Sequence, residues 1–519
     1  MKATKKHTIY PEIPEAIAGY IAWDPAKRRV YTDTRREGDP LFQTWVSLMK
    51  ARGVDVEIVR SDAAEIASIR EDLESRSGKK SAGVSSSLLD IRNLALSLLK
   101  RAAEHNASDL HLLLRENHAE VQVRVKNRLR VMERFPIREG QALARTFFQG
   151  LAVVKESFNP LEFQNGQIAG EALKGTLLSS VRLIRGPSYP VDRGAGFVVA
   201  RLQYREGRPT AGKPSGHYPY PDAPPGEFDL ISLGYTPDQA LLMEEIAASP
   251  NGIVIISGPT GSGKTYTLNE IMRHVARKRP YLRTITIEDP VEHPMPWAVQ
   301  LQASEDREGS GFAERLKVTL RADPDILLLA EIRSAETAIP ARDAANTGHM
   351  VWTTLHTNDP YMVIDRLEGM DRLNLNRGSI CDHKLFRAFV GQRLVGELCP
   401  NCSKPLAGNH GDLTPRILEA LKTWGDLDTV RLQGDGCEVC SGDGVIRIRA
   451  VAEIIKTDRE FMEIMAKQGT AAARKFHRQT GRAGKSMLEN ALDLVFEGKM
   501  DPREVEEAVD VIELKGRLV

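Results

Sequence analysis

The 519-residue chain is 27% charged and 41% hydrophobic, and its 71 Lys and Arg residues almost balance its 70 Asp and Glu residues. This composition is typical of globular protein, and it excludes both a strongly basic nucleic-acid-binding chain and, with 6% aromatic residues, an extensive base-stacking surface. No apolar run reaches the length of a membrane span, and the basic N-terminus lacks the apolar segment of a signal peptide. We therefore expect a cytosolic chain that reaches a membrane only through a partner. Its length predicts three or four domains.

Residues 1–74 have the pattern of a small α/β domain. Strands are predicted at 20–23, 29–31 and 54–59, and helices at 42–51 and from Asp62 onward. None of these segments contains a catalytic motif, so a docking domain and a purely structural appendage both remain open. Residues 75–87 (SRSGKKSAGVSSS) are small and polar, which predicts a flexible linker.

A second α/β domain is predicted at residues 88–203. It begins with an amphipathic helix, continues with ASDLHLLL at 107–114 and the alternating strand VQVRVKNRLRV at 121–131, and ends with strands that contain Arg182 and Arg201. Residues 204–228 are rich in Pro and Gly and show no apolar periodicity. They predict a long, semi-stiff connector.

The nucleotide-binding motif lies in NGIVIISGPTGSGKTYTL at residues 251–268. A β-branched run leads into a glycine turn and then into a helical pattern, which is the strand–loop–helix context of a phosphate-binding loop (P-loop). Glycines let backbone N–H groups turn toward an anion, Lys264 would reach the β- and γ-phosphates, and the Thr265 hydroxyl would bind Mg²⁺. A chance glycine-rich turn is the alternative, which the flanking strand and helix disfavour. The predicted loop residues are Gly258, Pro259, Thr260, Gly261, Ser262, Gly263, Lys264 and Thr265.

Three further strand ends add acids and imidazoles. The run 284–287 is followed by Glu288, Asp289 and Glu292, and the apolar run 326–330 is followed by Glu331. Carboxylates at the carboxyl ends of parallel strands face the nucleotide crevice, where they can bind Mg²⁺ or orient water; surface carboxylates are the alternative. His349 and His356 flank a third strand, and imidazole can hydrogen-bond a γ-phosphate.

The rest of the domain at 229–519 alternates strands and helices up to about residue 395, which predicts a parallel sheet. Residues 396–447 form a cysteine-bearing insertion, and residues 456–518 form a helical tail interrupted at Gly484. The insertion holds two CxxC turns 34 residues apart, and four thiolates with no open position predict a structural Zn²⁺ site; redox-active pairs are the alternative. The predicted ligands are Cys399, Cys402, Cys437 and Cys440, while Cys381 is expected to be a buried apolar residue.

Together GPTGSGKT, TIEDPVE, LRADPDILLLAEIR and TGHMVWTTLHTND resemble the secretion ATPases of type II secretion and type IV pilus assembly. The resemblance extends over about residues 88–460, and ASDLHLLL resembles that family's ASDIHLEP. It implies a multidomain α/β protein with a RecA-like P-loop core, an N-terminal pair of α/β domains (the second PAS-like and covering the nucleotide), a zinc knuckle and a helical tail. It also implies a homohexamer that hydrolyses ATP with Mg²⁺ and acts, without contacting nucleic acid, on an inner-membrane platform through the N-terminal domain.

The resemblance implies roles for individual residues. Glu331 would be the catalytic Walker B acid, Glu292 the acidic-box partner, and His349 with His356 the histidine box. Arg182 and Arg201 are similar to the family's arginines that approach nucleotide from the second domain. There are departures: the family's GEIRD reads AEIRS at 330–334, its DGR reads NGQ at 165–167, and the connector is longer than usual, which indicates a divergent branch such as a plasmid- or conjugation-type pilus system.

Two other functions compete with that of a pilus or secretion motor. One is a RecA-like nucleic-acid or conjugative-transfer motor that uses the zinc knuckle as a DNA contact, which the balanced charge and few aromatic residues disfavour. The other is a P-loop scaffold or regulatory protein with slow hydrolysis, which the acidic and histidine boxes disfavour.

Overall fold

The computed structural model separates into two compact units, residues 1–93 and 94–519. It describes residues 17, 20–24, 27–33, 39–51, 54–62, 65–66, 69, 84–154, 156–205, 218–303 and 311–517. Among these residues, no helix is long and apolar enough to span a membrane.

The N-terminal unit contains a three-stranded sheet in the order β1-β2-β3. β1 pairs antiparallel with β2, and β2 pairs parallel with β3. Phe42 and Trp45 of the helix are buried with Val30 of the central strand, which accounts for the predicted apolar spacing. Asp62 accepts a hydrogen bond from the Glu65 N–H (2.8 Å), as expected of a helix cap, but most of that helix lies outside the described residues. The elements are β1 (Ile21–Asp24), β2 (Arg29–Asp33), α1 (Pro40–Ala51) and β3 (Glu57–Ser61).

A long helix, α2 (Val84–Glu104), follows the predicted linker. It includes the last four residues of that linker, and the boundary between the two compact units falls within it. Its second half buries Ala95, Leu98 and Leu99, the residues whose spacing predicted an amphipathic helix. Residues 71–83 of the linker region lie outside the described residues.

The second α/β domain is built on a seven-stranded, entirely antiparallel sheet in the order β6-β5-β4-β10-β9-β8-β7. The ASDLHLLL segment contains the inner strand β4, whose six residues are all buried. Helix α3 continues into a π-helical turn, Thr146–Leu151, and both pack on the sheet through buried Leu143, Phe147 and Phe148. The elements are β4 (Asp109–Leu114), β5 (His118–Val125), β6 (Arg128–Pro136), α3 (Ile137–Arg145), β7 (Ala152–Val153), β8 (Gln164–Ile168), β9 (Leu178–Pro187) and β10 (Gly196–Tyr204).

The described end of the connector, from Tyr218 onward, runs along the edge strand β6. The Val131 N–H donates to Pro219 O (2.8 Å), and the Arg130 guanidinium donates to Tyr218 O (3.1 Å) while stacking on the Tyr220 ring at 3.9 Å. The described end of the connector is therefore fixed to the second domain.

The nucleotide-binding domain contains a seven-stranded sheet in the order β13-β12-β14-β15-β11-β16-β19. All neighbouring strands are parallel except β16 and β19, which pair antiparallel. Alternate residues of β11 enter different cores, Ile253 and Ile255 on one face and Val254 and Ile256 on the other, so the strand is apolar throughout because helices cover both faces. The strands are β11 (Gly252–Ser257), β12 (Thr284–Glu288), β13 (Val299–Gln302), β14 (Ile326–Leu329), β15 (Met350–Leu355), β16 (Phe386–Leu398) and β19 (Val445–Lys456).

Helices on this domain connect the strands and then form the tail. The cysteine-bearing insertion leaves the sheet at the end of β16, contains helix α11 and the short pair β17 (Lys404–Pro405) and β18 (Arg431–Leu432), and returns at β19. The helices are α4 (Leu230–Leu233), α5 (Pro237–Ala247), α6 (Lys264–Lys278), α7 (Phe312–Thr319), α8 (Ala335–Asn346), α9 (Val363–Met370), α10 (Arg377–Ile380), α11 (Pro415–Trp424), α12 (Arg459–Gln468), α13 (Thr470–Gln479), α14 (Met487–Phe496) and α15 (Pro502–Ala508).

Candidate functional site

The loop between β11 and α6 has the conformation that its glycines predict. Gly258, Gly261 and Gly263 all have positive φ, at 156°, 78° and 80°. A Cβ on Gly258 would lie 2.5 Å from Gln392 O and 2.6 Å from Ser262 Oγ, so the loop closes only around glycine at this position.

The same loop has unused hydrogen-bond donors, as an anion site requires. No side chain caps the N-terminus of α6, so the N–H groups of its first turn have no side-chain acceptor. The Ser262 hydroxyl is buried and has no hydrogen-bond partner among the described residues. The Lys264 ammonium donates only to carbonyls of its own loop, Gly258 O at 3.0 Å and Pro259 O at 2.7 Å. A triphosphate would give these donors charged acceptors, and Thr265 is the residue of this turn that would bind Mg²⁺.

Glu331 and His356 meet beside this loop. β14 and β15 are parallel neighbours, and β15 is the parallel neighbour of β11, so all three strands end at the same edge of the sheet. Glu331 follows β14 and His356 follows β15, and His356 Nε2 lies 3.0 Å from Glu331 Oε1. The Arg333 Nε–H donates to the other carboxylate oxygen at 2.8 Å, so both oxygens of Glu331 have a fixed partner.

The positive charge of Lys264 lies near the Glu331 carboxylate. Burial lowers the pKa of Lys264, the nearby Glu331 carboxylate raises it, and the Arg393 guanidinium lowers it further. A lysine whose charge is poorly solvated and only partly balanced favours an anionic ligand.

The acidic strand β12 ends at the same edge, two strands away from β15. Glu288 is buried and accepts hydrogen bonds from the Thr286 hydroxyl and from the Gln300 amide (3.0 Å). Burial raises the pKa of Glu288, and the neighbouring Glu292 carboxylate adds to this effect. Glu292 itself is exposed at this edge. The acidic box therefore supplies one buried, hydrogen-bonded acid and one solvated acid.

His349 does not lie at this edge. It precedes β15, whereas His356 follows it, so the six residues of the strand separate the two histidines by roughly 20 Å. The His349 Nδ1–H donates to Ala344 O (2.8 Å), and its carbonyl accepts from the N–H of Gly252, at the start of β11. The two histidines therefore flank one strand as predicted, but only His356 lies at the P-loop edge, because the ends of a strand face opposite edges of a sheet.

Arg182 and Arg201 also lie apart from the P-loop of their own chain. They are register partners on β9 and β10, and both are exposed. They line a cavity of about 760 Å³ together with Gln167 and Arg321, and none of residues 258–265 lines it. Arg201 donates to Asp109 (2.9 Å), which ties it to β4.

The sequence analysis did not identify Gln392, which holds the P-loop from the neighbouring strand. This buried amide donates to Ser262 O (2.7 Å) and accepts from the Tyr235 hydroxyl (2.6 Å) and the Thr267 hydroxyl (2.9 Å). The only sign of Gln392 in the sequence was a single glutamine within a mainly apolar strand. The residues that it contacts lie 125 to 157 positions away along the chain, so no local pattern reveals the contacts.

The four predicted zinc ligands converge. The sulfur atoms of Cys399, Cys402, Cys437 and Cys440 all lie within 4.8 Å of one another, and three pairs are 3.8 Å apart. Ligands 2.3 Å from a tetrahedral Zn²⁺ are roughly 3.8 Å apart, so this set fits the ion. The backbone N–H groups of residues 437 and 444 each donate to Cys440 Sγ at 3.2 Å, as expected around a thiolate ligand. Cys381 is half-buried against the core, and burial raises the pKa of its thiol to about 12, which agrees with a non-reactive role.

A mainly parallel sheet whose carboxyl edge brings together a P-loop and an acid–histidine pair places the chain among the α/β P-loop nucleotide-binding proteins. Residues 222–507 match the family model described as "Type II/IV secretion system protein", and because this is more than half of the chain, the chain belongs to that family.

Similar proteins are found by both sequence and structure. The chain is 29% identical over 408 residues to the type IV pilus assembly ATPase PilB of Thermus thermophilus (77% of this chain, 41% of the relative) and 31% identical over 372 residues to the type II secretion system protein E of Klebsiella pneumoniae (71% and 66%). The chain thus covers from two fifths to just under two thirds of these relatives. Among solved structures, the Legionella pneumophila ATPase DotB is 22% identical with a TM-score of 0.40, covering 79% of this chain and 93% of that one.

Proposed function

We propose that this protein is an ATP-hydrolysing motor that powers the assembly of a type IV pilus or of a type II secretion pseudopilus. The observation that supports the proposal most directly is the meeting of the P-loop with the Glu331–His356 pair at one edge of the sheet. Family membership supports the same class of activity.

The chain's residues suit phosphoryl transfer to water. Lys264, now bonded to its own loop, would turn to the β- and γ-phosphate oxygens. Glu331 would orient the attacking water, and His356 and Arg333 hold its carboxylate in one orientation. Water attacks the γ-phosphorus, the bond to the ADP oxygen breaks, and phosphate leaves. Thr265, with Glu292 near by, would hold Mg²⁺, whose positive charge would offset the charge of the phosphate oxygens.

The remaining expected features belong to this proposal. We infer a homohexamer, in which Arg182 and Arg201 reach a nucleotide held by an adjacent subunit, since they do not line a cavity with their own P-loop. His349, at the opposite edge of the sheet, would likewise act only across a subunit boundary. We infer that the N-terminal domain binds a platform protein at the cytoplasmic face of the inner membrane, and that Zn²⁺ on the four cysteines fixes the insertion between β16 and β19.

ATP turnover by the full chain tests the proposal. We expect Lys264→Ala to abolish turnover and Glu331→Gln to bind ATP without hydrolysing it, because the first removes the phosphate-binding charge and the second removes the water-orienting carboxylate. Lys174 and Glu171 form an exposed ion pair in the second domain, so Lys174→Ala and Glu171→Gln are matched controls that should turn over normally.

Wild-type turnover in Lys264→Ala or Glu331→Gln would contradict the assignment. Strong stimulation of turnover by DNA would instead favour a nucleic-acid or conjugative-transfer motor. A mass in solution that stays monomeric with and without a non-hydrolysable nucleotide would remove the support for a hexamer with trans-acting arginines.

A further inference from the structure

A buried cation beside the P-loop has no role in the mechanism above. Arg393 lies on β16, which is the parallel neighbour of β11 and continues beyond it past the P-loop. It is only 7% exposed. Its guanidinium donates to two backbone carbonyls, Gln392 O at 3.0 Å and Asn358 O at 2.6 Å.

No carboxylate pairs with this guanidinium within the part of the chain that the structure describes. Asp359 and Asp510 act on Arg393 only at longer range, and burial lowers the pKa of Arg393. Arg124, which is similarly buried, is instead paired with Asp323 and Asp325. A buried cation held only by neutral carbonyls keeps much of its charge uncompensated, so an anion that arrives near by would be stabilised.

The phosphate site is where such an anion would arrive. Arg393 is close enough to Lys264 for its charge to lower the pKa of that lysine. The residue before it, Gln392, holds the P-loop through Ser262 O. The carbonyl that Arg393 contacts belongs to Asn358, in the short segment that begins with His356. One side chain therefore connects the strand that holds the P-loop with the loop that presents the histidine to Glu331.

We propose that Arg393 is a positioning residue for ATP hydrolysis, an inference that rests on the function proposed above. Its hydrogen bond to Asn358 O fixes the loop 356–358 so that His356 stays on the Glu331 carboxylate. The uncompensated positive charge of Arg393 stabilises the phosphate-bound form of the site relative to the empty form. The two contributions are separable, because one depends on the geometry of the guanidinium and the other only on a positive charge.

Three variants of the full chain separate these contributions. Arg393→Met removes both the charge and the donors, and Arg393→Lys keeps the charge but cannot reproduce the planar pair of donors. Arg387→Met is the matched control, because Arg387 lies on the same strand, also donates to a backbone carbonyl (Asn251 O, 2.8 Å), and sits at the opposite edge of the sheet. The readouts are KM and kcat for ATP, with the melting temperature measured on each variant.

We expect Arg393→Met to raise KM about tenfold and to lower kcat, since one unit charge at short range in a partly buried site has an effect of this order. Arg393→Lys should have a KM within about threefold of wild type but a low kcat. The lysine charge restores binding of the phosphates, whereas an ammonium group cannot restore the hydrogen bonding that fixes the loop 356–358. Arg387→Met should change neither constant beyond what its loss of stability produces.

The inference is overturned if Arg393→Met hydrolyses ATP with the wild-type KM and kcat. It is also overturned if Arg393→Met and Arg387→Met lose activity and stability in parallel, because that result indicates a purely structural role. If Arg393→Met does not fold, Arg393→Lys alone tests the inference through its separate effects on KM and kcat. Wild-type values of both KM and kcat in Arg393→Lys would then overturn the inference. Failure of the proposed function is distinguishable, because the wild-type chain itself would then show no turnover that depends on Lys264.

Discussion

Replacing Gln392 by methionine tests whether a single buried amide holds the P-loop in its binding conformation. The side chain takes part in three hydrogen bonds, to Ser262 O (2.7 Å) and from the hydroxyls of Tyr235 (2.6 Å) and Thr267 (2.9 Å). All of these groups are almost fully buried, so water cannot replace the lost contacts. With about 1 kcal/mol for each bond and a further cost for hydroxyls left buried without acceptors, we expect Gln392→Met to lower the free energy of unfolding by about 3 to 5 kcal/mol.

A double-mutant cycle with Tyr235→Phe makes this prediction specific. Burial raises the pKa of the Tyr235 phenol, so the group stays protonated and donates its hydrogen to Gln392. In the wild-type background the loss of that bond should cost about 1 kcal/mol. In the Gln392→Met background the same change removes an orphaned hydroxyl, so it should cost nothing or increase stability.

The assay is chemical denaturation followed by tryptophan fluorescence. Of the five tryptophans, Trp352 is fully buried in β15 opposite Val254 of β11, so its share of the signal reports on the sheet that supports the P-loop. Nucleotide affinity should fall in Gln392→Met as well, because the loop loses its fixed contact at Ser262 O. Equal costs for Tyr235→Phe in both backgrounds would refute the reasoning, since the hydroxyl would then not depend on Gln392.

Three other predictions follow from the site and its surroundings. Lys264→Ala should lower turnover to background while Glu331→Gln retains bound ATP, measured by steady-state phosphate release and by filter binding. Cys437→Ser should reduce bound zinc from one ion to less than one per chain by elemental analysis and should make the insertion sensitive to protease, whereas full metal content would exclude the four-cysteine site. Burial opposes ionisation of Asp323, but a hydrogen bond with His111 and the adjacent Arg124 outweigh it and lower the pKa of Asp323 from 3.8 to about 2. Ionisation of this carboxylate therefore adds about 2 kcal/mol of stability above pH 4, which is lost as the pH falls through about 2. Asp323→Asn should remove this pH dependence, so that its loss of stability relative to wild type is largest at pH 7 and shrinks below pH 4.

The contacts of Asp323 also explain how the second α/β domain and the nucleotide-binding domain are held together. His111 of β4 and Arg124 of β5 reach Asp323 and Asp325, just before β14. These acids lie at the amino end of the strand, opposite the P-loop edge. The second domain is therefore held at the far edge of the sheet by a buried arginine that pairs with two half-buried aspartates, which is consistent with its arginine pair lying away from its own P-loop.

Much of the fold was predictable because local patterns report local physics. The apolar run at 253–256 predicted a strand, which the structure confirms as β11. The alternating pattern at 121–131 predicted one strand, but the structure divides it between β5 and β6, with a turn at Lys126 and Asn127, which both have positive φ. The boundary of the linker was less accurate. Val84 already belongs to a helix, since a serine-rich sequence can start a helix when apolar residues follow it.

The sequence by itself determined the chemistry of the site, because each motif combines residue types with a spacing that few other functions need. Gly258 to Thr265, Glu331 after a buried strand, and two CxxC turns are recognisable without coordinates. The tertiary structure decided which of these groups meet. Because of the direction of β15, His356 contacts Glu331 whereas His349 lies roughly 20 Å away. Gln392 contacts the P-loop through Ser262, which is 130 residues away along the chain. Such pairings depend on which strands become neighbours, and that is set by the burial of the whole sheet rather than by any local segment.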